Sequence, residues 1–171
     1  CYMVVTETTG VVDTSGASKQ ALVFTENSIF ALQEAGIRLE LVMVASGFGC
    51  TGPLAAVRVD DSVYFWDRRG PHVYRYGSVE PIYLGIERAV RDIPGSTLAS
   101  IIAVHHFPRR QVWFCVIEGA VTDAAGGGLN AIYKYDYLRK LWTRDSASPR
   151  AAASLGYLSI GTIQASPQAY L

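Results

Sequence analysis

Residues 112–142 read VWFCVIEGAVTDAAGGGLNAIYKYDYLRKLW. Val112 to Ile117 are apolar without a break, which makes a short strand, and a small-residue loop holding Gly126, Gly127 and Gly128 follows. The chain returns as NAIYKYD, turns through Leu138, Arg139 and Lys140, and leaves on Trp142. Apolar runs separated by turn residues are the mark of hairpins. The other segments are variations on this one, so an all-β domain built from repeated hairpins is expected.

Working outward, Met3 to Thr8 is a short strand, and residues 9–20, rich in Gly, Ser and Thr, are expected as a mobile loop. LVFTENSIFAL, Leu22 to Leu32, is two strands around Glu26-Asn27, where Asn tolerates a tight turn. RLELVMVA, Arg38 to Ala45, is another strand, and SGFGCTGP after it is irregular. VRV, Asp60-Asp61 and SVYFW form the next hairpin, followed by the turn Asp67-Arg68-Arg69-Gly70-Pro71 and by HVYRYG. Ile82, Ile86, Ala89, Val90 and Ile93 then fall on one helical face. With Pro81 in the first turn and Pro94-Gly95 as a stop, they predict one short helix over 82–93. Leu98 to Val104 is expected as a strand, His105 to Arg110 as a turn, and Ala151 to Ile160 and Thr162 to Ala165 as weaker strands.

The strongest hairpin strands begin near Val23, Val63, Val112 and Tyr157, about 40–50 residues apart. That period, with several short strands in each unit, fits the blades of a β-propeller. LVF, LVMV, VYFW and VWFCVI are apolar at consecutive positions, whereas a sheet with one wet face alternates. Both faces of these strands are therefore expected out of water, between stacked sheets. The expectation is one β-propeller-like domain over 1–171, three to four blades, with the helix as an insertion. A closed propeller needs at least ~4 blades, so a larger ring completed by neighbouring sequence is the natural setting. The start at Cys1, without an initiator Met, reads as a piece of a longer polypeptide.

Composition narrows the function classes. Charged residues make up 18% of the chain, below the ~25% of ordinary soluble domains, as expected if other subunits cover part of the surface. Fifteen basic and fifteen acidic residues cancel, which gives no general attraction to nucleic acid or anionic membrane. No apolar run approaches the ~18–20 residues of a membrane helix, so no membrane insertion is expected. Cys1, Cys50 and Cys115 make no even disulfide framework, and a reducing assembly compartment is the default.

Chemistry-bearing motifs are sparse. His105 and His106 are neighbours on one chain, and such neighbours on a strand point to opposite faces and do not chelate one ion. The triple glycine lacks the lysine and hydroxyl of a phosphate loop, and no G-x-S-x-G elbow occurs. Glu26, Asp60, Asp61, Asp67, Glu118 and Asp123 read as solvated acids at turns. The aromatics Tyr64, Trp66, Tyr74, Tyr76, Trp113, Tyr133, Tyr135 and Trp142 read as sheet-to-sheet packing. Arg68-Arg69 and Arg109-Arg110 sit in successive hairpin turns. Emerging on one rim, they would grip phosphates or a partner's carboxylates, and they are the candidate partner-binding residues. No catalytic residue, metal ligand or cofactor is expected.

The order of segments resembles a known family. Val23 to Leu32, a Gly-rich bend over Gly47 to Gly52, Val57 to Tyr76, a short helix, and His106 to Thr143 follow one another as in the β-propeller tail proteins of short-tailed bacteriophages. Those are tail hub or nozzle proteins, also described as tail accessory or packaged-DNA stabilisation factors. The resemblance spans roughly Ala21 to Thr143. It implies a non-enzymatic virion structural protein, assembled in the host cytoplasm into a homo-oligomeric ring in the tail. Such a ring would contact other tail or portal-proximal proteins, close the conduit, touch packaged DNA non-specifically, and pass it on at DNA ejection. The alternative is a carbohydrate-binding or glycoside-cleaving β-propeller, although the S-x-D-x-G-x-T-W repeat common in that class is not found. A kelch-like module would keep a paired glycine in each blade, and none recurs at fixed positions.

Overall fold

The structure is a computed structural model that describes residues 5–9, 19–35, 38–119 and 129–146. Within them lie three antiparallel four-stranded sheets, each a simple meander in chain order, and none closes on itself. The first holds β1 (Val5–Thr9), β2 (Lys19–Phe24), β3 (Ser28–Ala35) and β4 (Arg38–Ser46). The second holds β5 (Ala56–Val59), β6 (Ser62–Asp67), β7 (Gly70–Arg75) and β8 (Ser78–Pro81). The third holds β9 (Ile102–His106), β10 (Gln111–Val116), β11 (Ala131–Asp136) and β12 (Leu141–Ser146). The all-β expectation holds. Val23, Val63 and Val112 fall in β2, β6 and β10, the second strand of each sheet, so the spacing read from the sequence marks a structural repeat.

Turn chemistry sets the hairpins. Val59 pairs with Ser62 across Asp60-Asp61, and Asp60 takes the left-handed conformation (φ 52°) that a short acidic side chain tolerates. Arg75 pairs with Ser78 across Tyr76-Gly77, both at positive φ. The glycines of residues 46–53 allow close approach instead. A Cβ on Gly49 would lie 2.1 Å from the Glu26 carbonyl carbon. This seats the segment on the β2–β3 turn, where the Cys50 N–H donates to the Thr25 carbonyl at 2.8 Å.

The sheets stack. β5 lies against β9, and β1 against β5 and β6. All six residues of β6 are buried. Phe65 meets Phe24 of the first sheet at 5.0 Å between ring centroids. On the opposite face Trp66 meets Phe114 of the third at 5.2 Å and Tyr64 meets Tyr135 at 6.1 Å. One apolar cluster runs through all three sheets. The Trp142 indole N–H donates to the Ile82 carbonyl at 2.6 Å, tying the third sheet to the segment after β8.

Four expectations are corrected. The LVMV run of β4 is not buried on both faces: Leu41, Val42 and Met43 are 54%, 41% and 57% exposed, because β4 is the outermost strand of an end sheet. The helix is α1, Glu87–Arg91, rather than 82–93. Pro81 ends β8, the Ile82 N–H donates to the Pro71 carbonyl, and Gly85 at φ 95° breaks the run before the helix. Residues Gly95–Ser100 form a 3-10 turn where part of a strand was expected, and β9 extends through His105 and His106. Thr9, Lys19 and Gln20 belong to strands. Residues 10–18, Gly126 to Gly128 and the segments expected as strands after Ala151 lie outside the described residues.

Trp66→Ala is expected to cost about 3–5 kcal/mol by removing the filling between the second and third sheets. Leu41→Ala, on exposed β4, is expected to stay within about 0.5 kcal/mol. Urea unfolding of the two variants measures the difference.

Candidate functional site

The two arginine pairs lie at opposite ends of the stack. The Tyr137 ring, after β11, lies 6.2 Å from Tyr64 near the start of β6 and 5.9 Å from His105 at the end of β9, so the turns after β5, β9 and β11 share one rim. Arg68 and Arg69 occupy the β6–β7 turn, at the far end of β6 from Asp60. Their neighbours there are Glu26 and Gly47 of the first sheet. The common rim imagined for all four arginines is not formed.

Arg69 is an internal strap. Its Nε and Nη2 donate to Asp67 Oδ2 at 3.0 and 2.7 Å, Nη2 also donates to the Gly47 carbonyl at 2.6 Å, and the guanidinium lies 4.3 Å from the Phe48 ring centroid. Arg68 reaches Glu26 at 3.2 Å, with both side chains exposed. Asp67 is not the solvated acid its turn position predicted. It is buried, accepts the Arg69 backbone N–H at 2.6 Å, and stands 3.4 Å from Nδ1 of buried His72. His72 Nδ1 lies 2.9 Å from the Gly70 carbonyl, which fixes that nitrogen as the donor. Burial holds the His72 pKa below its ordinary 6.5, against the upward pull of Asp67 and of the Gly70 hydrogen bond.

Arg109 and Arg110 sit on the other rim. Arg110 takes the left-handed conformation (φ 54°) that closes the β9–β10 turn, and Lys140 (φ 55°) does the same after β11. The Tyr137 N–H donates to the Arg110 carbonyl at 3.4 Å, which sets the two turns side by side. Asp136 Oδ1 accepts from the backbone N–H groups of Leu138 and Arg139, and its Oδ2 pairs with Arg139 Nη1 at 3.2 Å. Arg139 and Lys140, not Arg68 and Arg69, therefore complete the basic group around Arg109 and Arg110. The signal was available: both turns join neighbours within one meander, on the same end.

Between the second and third sheets, near that rim, a cleft of ≈ 250 Å³ is lined by Tyr64, Tyr135 and Tyr137 with Arg75, Glu80 and Lys140. Arg75 Nε donates to Ser62 Oγ at 2.7 Å. Burial pushes the Tyr64 hydroxyl up to about 12, so it enters any contact as a neutral donor or acceptor. No protein-family model and no curated protein sequence matches the chain.

Several other titratable groups are tied into the fold. Glu118 accepts from the Tyr133 hydroxyl and from Arg144, and the Arg144 hydrogen bond holds its carboxyl below the ordinary 4.5. Asn130 bonds both backbone groups of Glu118, at 2.7 and 3.0 Å. His105 packs beside Tyr137, and His106 stacks on Trp113 at 4.3 Å, so the two rings meet different neighbours. Burial pushes the Cys50 and Cys115 thiols up to about 11, which makes both poor nucleophiles near neutral pH.

Two outcomes follow from these contacts. Arg69→Ala leaves buried Asp67 short of its guanidinium and is expected to cost about 1–2 kcal/mol, limited because Arg69 is half exposed. Alanine at Arg109 or Arg110 is expected to change stability by less than about 0.5 kcal/mol. In thermal melts only the first should shift the midpoint clearly. Burial lowers the pKa of His72, His105 and His106 alike. The unfolded chain therefore takes up protons that the folded one refuses, and stability should fall as pH drops below about 6.5. Glu118 adds its own loss only at lower pH, below about 4.5. Urea unfolding at stepped pH should show the upper window, with a smaller slope in His72→Asn.

Proposed function

We propose that the chain is a non-enzymatic structural component of a short-tailed bacteriophage tail, contributing three β-propeller blades to a hub or nozzle ring. What supports the reading is where the resembling segments fall. Val23 to Leu32 covers the β2–β3 hairpin, Val57 to Tyr76 covers β5 to β7, and His106 to Thr143 covers the end of β9 to β12. Each includes the hairpin of the second and third strands of its meander. The contacts among β1, β5 and β9 favour blades, since in a propeller the first strand of each sheet lines the axis.

In this reading copies form a ring in the virion tail, assembled in the host cytoplasm beside other tail or portal-proximal proteins. The rim carrying Arg109, Arg110, Arg139 and Lys140 is its charged contact surface. Arginine forks on turns engage phosphate oxygens or carboxylates in two-point fashion, which suits packaged DNA or a neighbouring tail protein. Arg68 and Arg69 are left to the internal straps. One observation favours a second reading, a carbohydrate-binding propeller: tyrosines beside a cation and a carboxylate, as in the 64–135–137 cleft, can stack on and hydrogen-bond a sugar.

Electron cryomicroscopy of virions carrying the protein tests the first reading. Density for the three sheets repeated around the tail axis is expected. Saturable glycan binding or hydrolysis by the purified chain, with no such density in the particle, would sink it. Substituting alanine at Arg109, Arg110, Arg139 and Lys140 together is expected to cut incorporation into particles about tenfold or more while leaving the melting temperature near that of the native chain. Undiminished incorporation would remove the basic rim from the account.

A further inference from the structure

The three outermost strands differ in how they are protected. β8 has four residues and ends on Glu80-Pro81; a charge and a proline discourage any further strand from pairing there. β12 carries Arg144 and Asp145, ion-paired to Glu118 and Lys134. β4 is nine residues long, the longest strand among those described; a bulge at Val44 interrupts it, and the stretch before the bulge is regular from Arg38 to Met43 and holds Leu39, Leu41, Val42 and Met43. Its outer edge pairs with no other described strand. Leu39, Val42 and Met43 are among its exposed apolar side chains. Met43 stands opposite Phe30, and Leu41 opposite Leu32, both partly buried on β3, so the apolar surface continues inward from the edge.

We infer that β4 is a pairing edge for a second copy of this chain, joined antiparallel to the partner's β4 across a two-fold axis. Three observations carry the choice of occupant. An antiparallel edge is its own complement: every outward N–H of one strand meets an outward carbonyl of the other when the axis crosses the ladder. The side chains comply, since Leu39, Leu41 and Met43 share one face and interleave with the same three from the other copy. The area fits a weak contact. Arg38 to Met43, the regular stretch before the bulge at Val44, cover less than the ~1,200 Å² of a standard interface, in the range of weak, concentration-dependent contacts. A concentration-dependent dimer follows. Charge does not oppose it, because Arg38 and Glu40 lie at one end of the strand with opposite signs. The pairing leaves the first-strand side and the basic rim open, and it does not rest on the tail reading.

Sedimentation equilibrium of the whole chain from about 1 to about 200 μM is the test. The native chain should move from the mass of one chain to that of two. Leu41→Lys with Met43→Lys, both at exposed positions, should weaken dimerisation at least about tenfold while leaving the circular dichroism and melting temperature unchanged. Should that variant misfold, single substitutions Leu39→Cys, Leu41→Cys and Met43→Cys supply a second arm. Under mild oxidation one position near the axis should cross-link two chains most efficiently, with yield falling to either side. A single-chain mass at every concentration, a lysine variant that dimerises like the native chain, or equal cross-linking at all three positions would each overturn the inference. So would β4 amides protected from exchange in a monomer, since another segment of the same chain would then hold the edge.

Discussion

A β-strand with both faces out of water has to be covered twice, and β6 imposes that condition on the molecule. Ser62 to Asp67 are buried without exception. Burying a side chain of the size of Phe65 or Trp66 stabilises the folded chain by roughly 2–3 kcal/mol, but only if apolar partners meet it on its own side of the sheet. Phe24 does so on one face, and Phe114, Tyr133 and Tyr135 on the other. A third layer is therefore a requirement, and two packed sheets would leave one face of β6 wet. The polar ends reinforce the stack, with Arg69 bridging Asp67 to Gly47 and Trp142 reaching Ile82.

From that centre, protection falls outward. Among the described residues the second and third strands hold most of the buried side chains, the fourth strands are the wettest, and the turns carry the charge. This gradient sorts the chemistry. Groups near the middle serve the architecture: burial shifts the titration of His72, Cys50 and Tyr64, and Asp67 is held by Arg69. Groups at the turns and outer edges reach solvent, and two such surfaces differ in character. One is the basic rim from Arg109 to Lys140, suited to phosphates and carboxylates. The other is the apolar edge of β4, suited to another strand.

Legibility in the sequence followed the same gradient. The hairpins around Glu26-Asn27 and Asp60-Asp61 could be read because turn residues act locally, and Val23, Val63 and Val112 mark a repeat because each lies in the second strand of a stacked sheet. The helix was over-read. Ile82, Ile86, Ala89, Val90 and Ile93 do face the core, yet a strand end, a glycine bend and one short helix bring them there in turn. Apolar runs also fail to say which neighbour is present. LVMV and VYFW look alike, but one lies at the end of the stack and the other in its middle. Asp67 was misread for a related reason: its turn position is local, whereas its burial depends on Arg69 folding back over Phe48. The basic rim needed the meander topology, which places the β9–β10 and β11–β12 turns together and sends the β6–β7 turn to the far end.

The stacking of sheets on both faces of β6 is tested most directly by two double-mutant cycles, Phe24→Ala with Phe65→Ala and Trp66→Ala with Phe114→Ala, read by equilibrium unfolding. Each pair should show a coupling of about 0.5–1.5 kcal/mol, as for packed aromatic rings. Additive effects in either cycle, with coupling below about 0.3 kcal/mol, would mean that β6 lacks a neighbour on that face and would contradict the three-layer stack.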